Sequence, residues 1–147
     1  EINMLVNQIA VFLENRKGRV GDFAKVLADN KIDLVSMSIA DTKEFGILRA
    51  ITRDNSKAVK VLREAGFTVT SSDLIGIEVE DRAGGLSDVL ALLYAGGVEI
   101  EYLYSYARTE AKKAIIMLKV SDINKAMDVI NNNDIKVLEN SIIWFNL

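Results

Sequence analysis

The stretch Glu14-Asn15-Arg16-Lys17-Gly18-Arg19-Val20 returns 66 positions later as Glu80-Asp81-Arg82-Ala83-Gly84-Gly85-Leu86. Each follows an alternating apolar run, Ile9, Val11 and Leu13 in the first case and Ile75, Ile77 and Val79 in the second. Alternation with a period of two is the pattern of a half-buried strand. Beyond Gly18 the spacing becomes helical, with Val20, Phe23, Ala24, Leu27 and Ala28 on one face. A strand, a glycine turn and a helix written twice at this distance predict a small domain duplicated, not one turn of a solenoid.

The rest of each copy follows the same order. Ile32–Ala40 and Phe45–Thr52 read as a second and third strand, joined by the polar turn Asp41-Thr42-Lys43-Glu44. Asp54 then opens a helix through Ala58, Val61 and Leu62 that ends at Gly66, and Phe67, Val69 and Ser71 begin a fourth strand. In the second copy the helix spans Gly84–Ala95, strands follow at Val98–Tyr106 and Lys113–Val120, and a helix over Asp122–Asn132 leads to a strand from Ile135. Asp54, Lys57, Ala58, Val61 and Val69 recur as Asp122, Lys125, Ala126, Val129 and Val137, now 68 positions apart. The two extra residues fall between Tyr106 and Ala114, in a hairpin loop where insertions are tolerated. The pattern predicts an α+β chain of two ferredoxin-like βαββαβ units, residues 1–73 and 74–147, each with two helices on one face of a four-stranded antiparallel sheet. Ser71-Ser72-Asp73 is the whole hinge, so the halves are expected to be held rigidly. Ser141–Phe145 aligns with the start of a further repeat and is expected to add an extra C-terminal strand.

Composition narrows the chemistry. The 147 residues hold no histidine and no cysteine, which removes the commonest general base, structural zinc and thiolate nucleophiles. The absence of cysteine fits a cytoplasmic protein. The net charge of −3 argues against nucleic acid, since phosphate neutralisation needs clustered Lys and Arg. No apolar run approaches the roughly 20 residues of a membrane helix. Asp22, Asp88, Glu78 and Glu80 are candidates for an acid–base pair, but neither a nucleophile nor a phosphate loop accompanies them. No enzyme, metal or cofactor is therefore expected.

Both loops resemble that of the ACT domain: an apolar strand, Asp or Asn, a residue often followed by Pro, then Gly, one residue and Leu or Val. Lys17 and Ala83 depart from it, standing where the family often has Pro. The resemblance extends through Ile32-Asp33-Leu34 and Val98-Glu99-Ile100 and covers about the whole chain. It implies a regulatory, allosteric module that binds a small ligand, most often a free amino acid, between paired copies. The loop chemistry agrees. Each loop ends at a helix N-terminus, where free N–H groups and the positive dipole end suit a carboxylate. Gly18 and Gly84 permit positive φ or close approach of a ligand. Asn15 and Asp81 offer oxygens to an ammonium group, and are equally the residue types that cap helices. Arg16 and Arg82 read either as solvated or as ligand contacts, and Asp54 and Asp122 as helix caps.

The expected ligand site therefore has two versions. One uses Asn15, Arg16 and the backbone of Lys17, Gly18, Arg19 and Val20, closed by the strand around Tyr102, Leu103 and Tyr104. The other uses Asp81 and the backbone of Ala83, Gly84, Gly85 and Leu86, closed by Val35 to Ser38, with Ser36 and Met37. Asn15 serves both ends of a zwitterion, so its site is expected to bind more tightly. Met37 and Leu103 are expected in the helix-covered core, which places Tyr102, Tyr104 and Tyr106 on the opposite sheet face with Phe12. That aromatic face reads either as cross-strand packing or, preferentially, as a homodimer interface. The leading reading is a non-catalytic amino-acid sensor. The alternative is a regulatory subunit of an amino-acid biosynthetic enzyme, such as acetohydroxyacid synthase.

Overall fold

The computed structural model describes residues 4–14, 16–41, 44–108 and 111–139. Along the chain they form β1 (Leu5–Glu14), α1 (Arg19–Asp29), β2 (Leu34–Asp41), β3 (Phe45–Thr52), α2 (Asn55–Glu64) and β4 (Thr68–Glu80). There follow α3 (Gly85–Ala95), β5 (Ile100–Arg108), β6 (Lys113–Val120), α4 (Ile123–Asn132) and β7 (Lys136–Val137). Asn7–Ser72 forms one compact unit; the described residues before Asn7 and after Ser72 form another. Each has the order βαββαβ and a ferredoxin-like fold. The expected strand at Ser141–Phe145 lies outside the described residues.

In the first unit the strand order is β2-β3-β1-β4. β3 runs antiparallel to β1, with Ile9 opposite Ala50 and Val11 opposite Leu48. These residues share the face on which α1 lays Phe23 and Leu27, and α2 lays Ala58 and Leu62. Phe23, Leu48 and Leu62 are fully buried, and each large apolar side chain removed from water contributes about 1.5–3 kcal/mol. The second unit repeats the arrangement as β5-β6-β4-β7. Its core gathers Ile75, Ile77, Leu93, Leu118 and Ile130.

The second helices explain two of the repeated residues. Asp54 accepts a hydrogen bond from the Lys57 backbone N–H, and Asp122 from that of Lys125, both at 3.0 Å. The two lysine side chains then reach the end of the first helix of their own unit. Lys57 Nζ donates to the Asn30 carbonyl at 2.8 Å, and Lys125 Nζ to that of Gly97 at 3.5 Å. A cation there complements the negative end of the helix dipole.

Two expectations are revised. Ser71, Ser72 and Asp73 are not a hinge loop but lie within β4, which supplies residues to both units. The serines and aspartate read as a break, yet their backbone N–H and C=O groups are as able to join a ladder as any others. Met37 does share the helix-side face, opposite Ala50, but it is 43% exposed. β2 is the edge of its sheet in this unit, and the buried core draws on β1 and β3 instead. Leu103 packs against the second core as expected, opposite Leu118. No helix among the described residues is long and apolar enough to cross a membrane.

Candidate functional site

α1 and α3 begin differently from α2 and α4. Their N-cap residues are Gly18 and Gly84, at φ 89° and 88°, and neither helix start carries a side-chain cap bond. The left-handed conformation is one that a glycine adopts without steric cost. The loops have matching backbones: Arg16 N–H donates to the Glu14 carbonyl at 2.7 Å and Arg82 N–H to the Glu80 carbonyl at 3.0 Å. Asp22 N–H bonds Gly18, and Asp88 N–H bonds Gly84, both at 2.9 Å, closing the first helical turns. The N–H groups ahead of those bonds lack intrahelical acceptors by the geometry of a helix.

Each loop faces a cavity inside its own unit. In the first, Arg16 and Gly18–Gly21 meet Leu13, Ile39 of β2, and Phe45 and Gly46 of β3 around about 190 Å³. In the second, Asp81, Arg82 and Leu86 meet Ser105–Arg108 of β5 and Ile116 of β6 around about 330 Å³. A further groove of about 480 Å³ lies beside Arg82, between Gly85 and Asp88 on one side and Asn133–Lys136 on the other.

Of the expected site residues, Arg16, Gly18, Arg19 and Val20 line the first cavity, and Asp81 and Leu86 the second. Asn15 lies outside the described residues. Lys17, Ala83 and Gly84 are exposed and do not line either loop cavity. Ser36, Met37, Tyr102, Leu103 and Tyr104 do not line them either; Tyr104 stands opposite Met117. Ile39 and Phe45 in the first unit, and Ser105 to Arg108 in the second, were not anticipated. They lie at or beside the hairpin where the repeat offset changes from 66 to 68, which marked where the copies diverge.

The electrostatics of the loops differ. Arg82 is tied down by Glu80 Oε2 at 2.6 Å, Asp88 Oδ2 at 2.8 Å and the Ala83 carbonyl at 3.1 Å. The guanidinium bond and charge, helped by Lys113, hold the Glu80 carboxyl below the usual carboxylate range, and Arg82 is correspondingly raised. Asp81 pairs with Arg108 Nε at 3.2 Å and does not cap α3. In the first loop the corresponding Arg16 is 3.9 Å from Glu14, while Asp22 turns to Arg19 at 3.4 Å. Glu78, the remaining candidate acid, pairs with Lys136 at 3.2 Å. Among the described residues no cluster could hold a metal ion.

The model for an ACT domain pair matches residues 4–144. A protein of known crystal structure from Bacteroides thetaiotaomicron is 36% identical, with 97% of each chain covered and a TM-score of 0.87. The regulatory subunits of aspartate kinase from Thermus thermophilus and Thermus flavus share the fold at 12% and 11% identity, with TM-scores of 0.60 and 0.61. Each comparison covers 90% of this chain and 93% of the other. No curated protein matches the chain. The chain belongs to the ACT domain pair family.

Proposed function

We propose that this chain is a regulatory protein without catalytic activity that binds a free amino acid at the loop preceding α1, with the loop preceding α3 as its duplicate. The observation that carries the reading is the contrast among helix starts. Asp54 and Asp122 cap α2 and α4, whereas α1 and α3 open at left-handed glycines beside a cavity, without a side-chain cap. A ligand carboxylate there accepts from first-turn N–H groups and meets the positive dipole end. Glu14 in the first cavity and Asp81 in the second offer acceptors to the ammonium group, and Asn15 belongs to the first loop. The ion pairing of Asp22, Glu78, Glu80 and Asp88 favours a structural role for these carboxylates over acid–base work.

A second reading, a regulatory subunit of an amino-acid biosynthetic enzyme such as acetohydroxyacid synthase, draws support from Leu34, Met37 and Ile39. These leave 39–43% of their surface exposed on the edge strand β2. A homodimer through the stripe of Tyr102, Tyr104 and Tyr106, with Phe12, belongs to the same proposal; Phe12 is 41% exposed and its ring lies 4.8 Å from that of Phe45. The deciding experiment is a thermal-shift screen of the whole chain against the standard amino acids, followed by calorimetry. A ligand at 100 times its Kd adds about 2.7 kcal/mol of stability. If none of them shifts the melting temperature, the sensor reading is overturned; stoichiometric co-purification with a synthase supports the subunit.

A further inference from the structure

The two loops share a backbone course but not a charge, and the difference turns on positions 19 and 85. A Cβ built on Gly85 would run into the Glu80 carbonyl oxygen, so the second loop admits no side chain there. The first loop has Arg19 at the corresponding place. Its side chain is only 12% exposed, and its guanidinium carbon sits 3.9 Å over the centre of the Phe67 ring. Nε is shut off from solvent without a hydrogen-bond partner among the described residues, and Nη1 lies 3.4 Å from the carboxylate of Asp22, itself 58% exposed. An arginine cannot shed its charge on burial as a lysine can, and a cation partly withdrawn from water interacts more strongly with any anion that reaches it.

The charged residues lining the two cavities do not balance alike. The first is lined by Glu14, Arg16 and Arg19, one positive charge in excess, to which the start of α1 adds its dipole. The second is lined by Glu80, Asp81, Arg82 and Arg108, which balance. Those four are already joined in contacts of 2.6 Å and 3.2 Å.

The geometry points to the first loop cavity as a site selective for a ligand of net negative charge, an acidic amino acid in preference to a neutral one. This rests on the reading that the cavity binds a free amino acid and names its class. A neutral amino acid is a zwitterion and leaves Arg19 with the solvent-exposed Asp22 alone, whereas a side-chain carboxylate displaces Asp22 from Arg19. The volume of about 190 Å³ lies below the roughly 300–1,000 Å³ of sites for drug-sized ligands, as suits a small metabolite. A dicarboxylate without an ammonium group carries the same recognition chemistry.

Calorimetry of the whole chain with L-aspartate, L-asparagine, L-glutamate, L-glutamine and succinate tests the proposal. The expected result is binding of an acidic amino acid about tenfold or more tighter than its amide. Arg19→Gln should bring that ratio close to one, while Arg19→Lys retains part of it. Should Arg19→Gln fail to fold, the acid-to-amide ratio of the native chain decides alone. Equal affinity for acid and amide, or selectivity unaltered in a folded Arg19→Gln protein, overturns the inference while leaving amino-acid binding intact. Binding of succinate but of none of the four amino acids overturns the assignment of an acidic amino acid. Failure of all five probes overturns the inference and leaves the amino-acid reading to the screen of all the standard amino acids.

Discussion

The Arg19 guanidinium lies 3.9 Å over the Phe67 ring, so a cation at the start of α1 is held by an aromatic face from the residue just before β4. Phe67 is 5% exposed and belongs to the first core, and it does not line the loop cavity. It positions Arg19 and does not touch a ligand in that cavity. The edge of the charge distribution at Arg19 is thus fixed by hydrophobic packing, with the attraction between cation and ring added to it.

Phe67→Leu should separate these contributions. The substitution keeps an apolar side chain in the core and costs about 1–1.5 kcal/mol of stability by denaturant unfolding. It removes the aromatic face, so Arg19 loses its platform and acid-over-amide selectivity should fall, as measured by calorimetry. Selectivity equal to that of the native chain would show that the ring contributes packing alone.

Gly85 and Gly21 make a second, opposed pair. Gly21 lies inside α1 with nothing within 4 Å of the position an alanine Cβ would take, whereas Gly85 faces the Glu80 backbone. Gly21→Ala should stabilise the chain by about 0.4–1 kcal/mol through a less flexible unfolded state. Gly85→Ala should destabilise it by about 1–3 kcal/mol, because a backbone carbonyl gives way less readily than a side chain. Thermal or urea melts of the two variants give the signs directly.

Gly18 and Gly84 show what was legible in the sequence. These two glycines, 66 positions apart and each between a strand pattern and a helix pattern, were enough to place both loops. Alternation and helical spacing depend on local backbone geometry, which the chain writes into itself. The cavity walls were not visible in this way. Ile39 and Phe45 flank a hairpin and read as ordinary strand residues, and only the three-dimensional course of that hairpin brings them to the loop. The role of Arg19 was equally hidden, since its partner Phe67 is 48 residues away and carries no polar signal. Met37 had the right face but the wrong burial, because periodicity gives direction and not coverage.

The two aspartate caps should be energetically alike. Asp54 and Asp122 each accept one bond of 3.0 Å from the backbone N–H three residues on. Replacing either with Ala should cost about 0.5–2 kcal/mol. Asp54→Asn, which retains an acceptor, should cost less than Asp54→Ala. Chemical denaturation of the three variants checks both statements, and a neutral Asp54→Ala would mean that the cap bond has no net value in this fold.

The Glu80–Arg82 contact of 2.6 Å gives the second loop a pH dependence. Arg82 holds the Glu80 carboxyl below its ordinary range, chiefly by the hydrogen bond and then by charge. A carboxyl whose folded value is depressed binds protons more readily in the unfolded chain. Its stabilising contribution is therefore fully present above the unfolded value and is lost as pH falls through the depressed folded value. Arg82 stays charged throughout, so the change belongs to the carboxylate. On acidification the Glu80 arm of the clip should release. Side-chain carboxyl shifts followed by NMR should titrate below the free glutamate range in the native chain, and return to that range in Arg82→Gln. Amide exchange at Arg82 and Gly85, whose N–H groups bond within the loop, should quicken in the same variant at neutral pH. An ordinary Glu80 titration in the native chain would mean that the pair does not persist in solution, and the two loops would then be equally open.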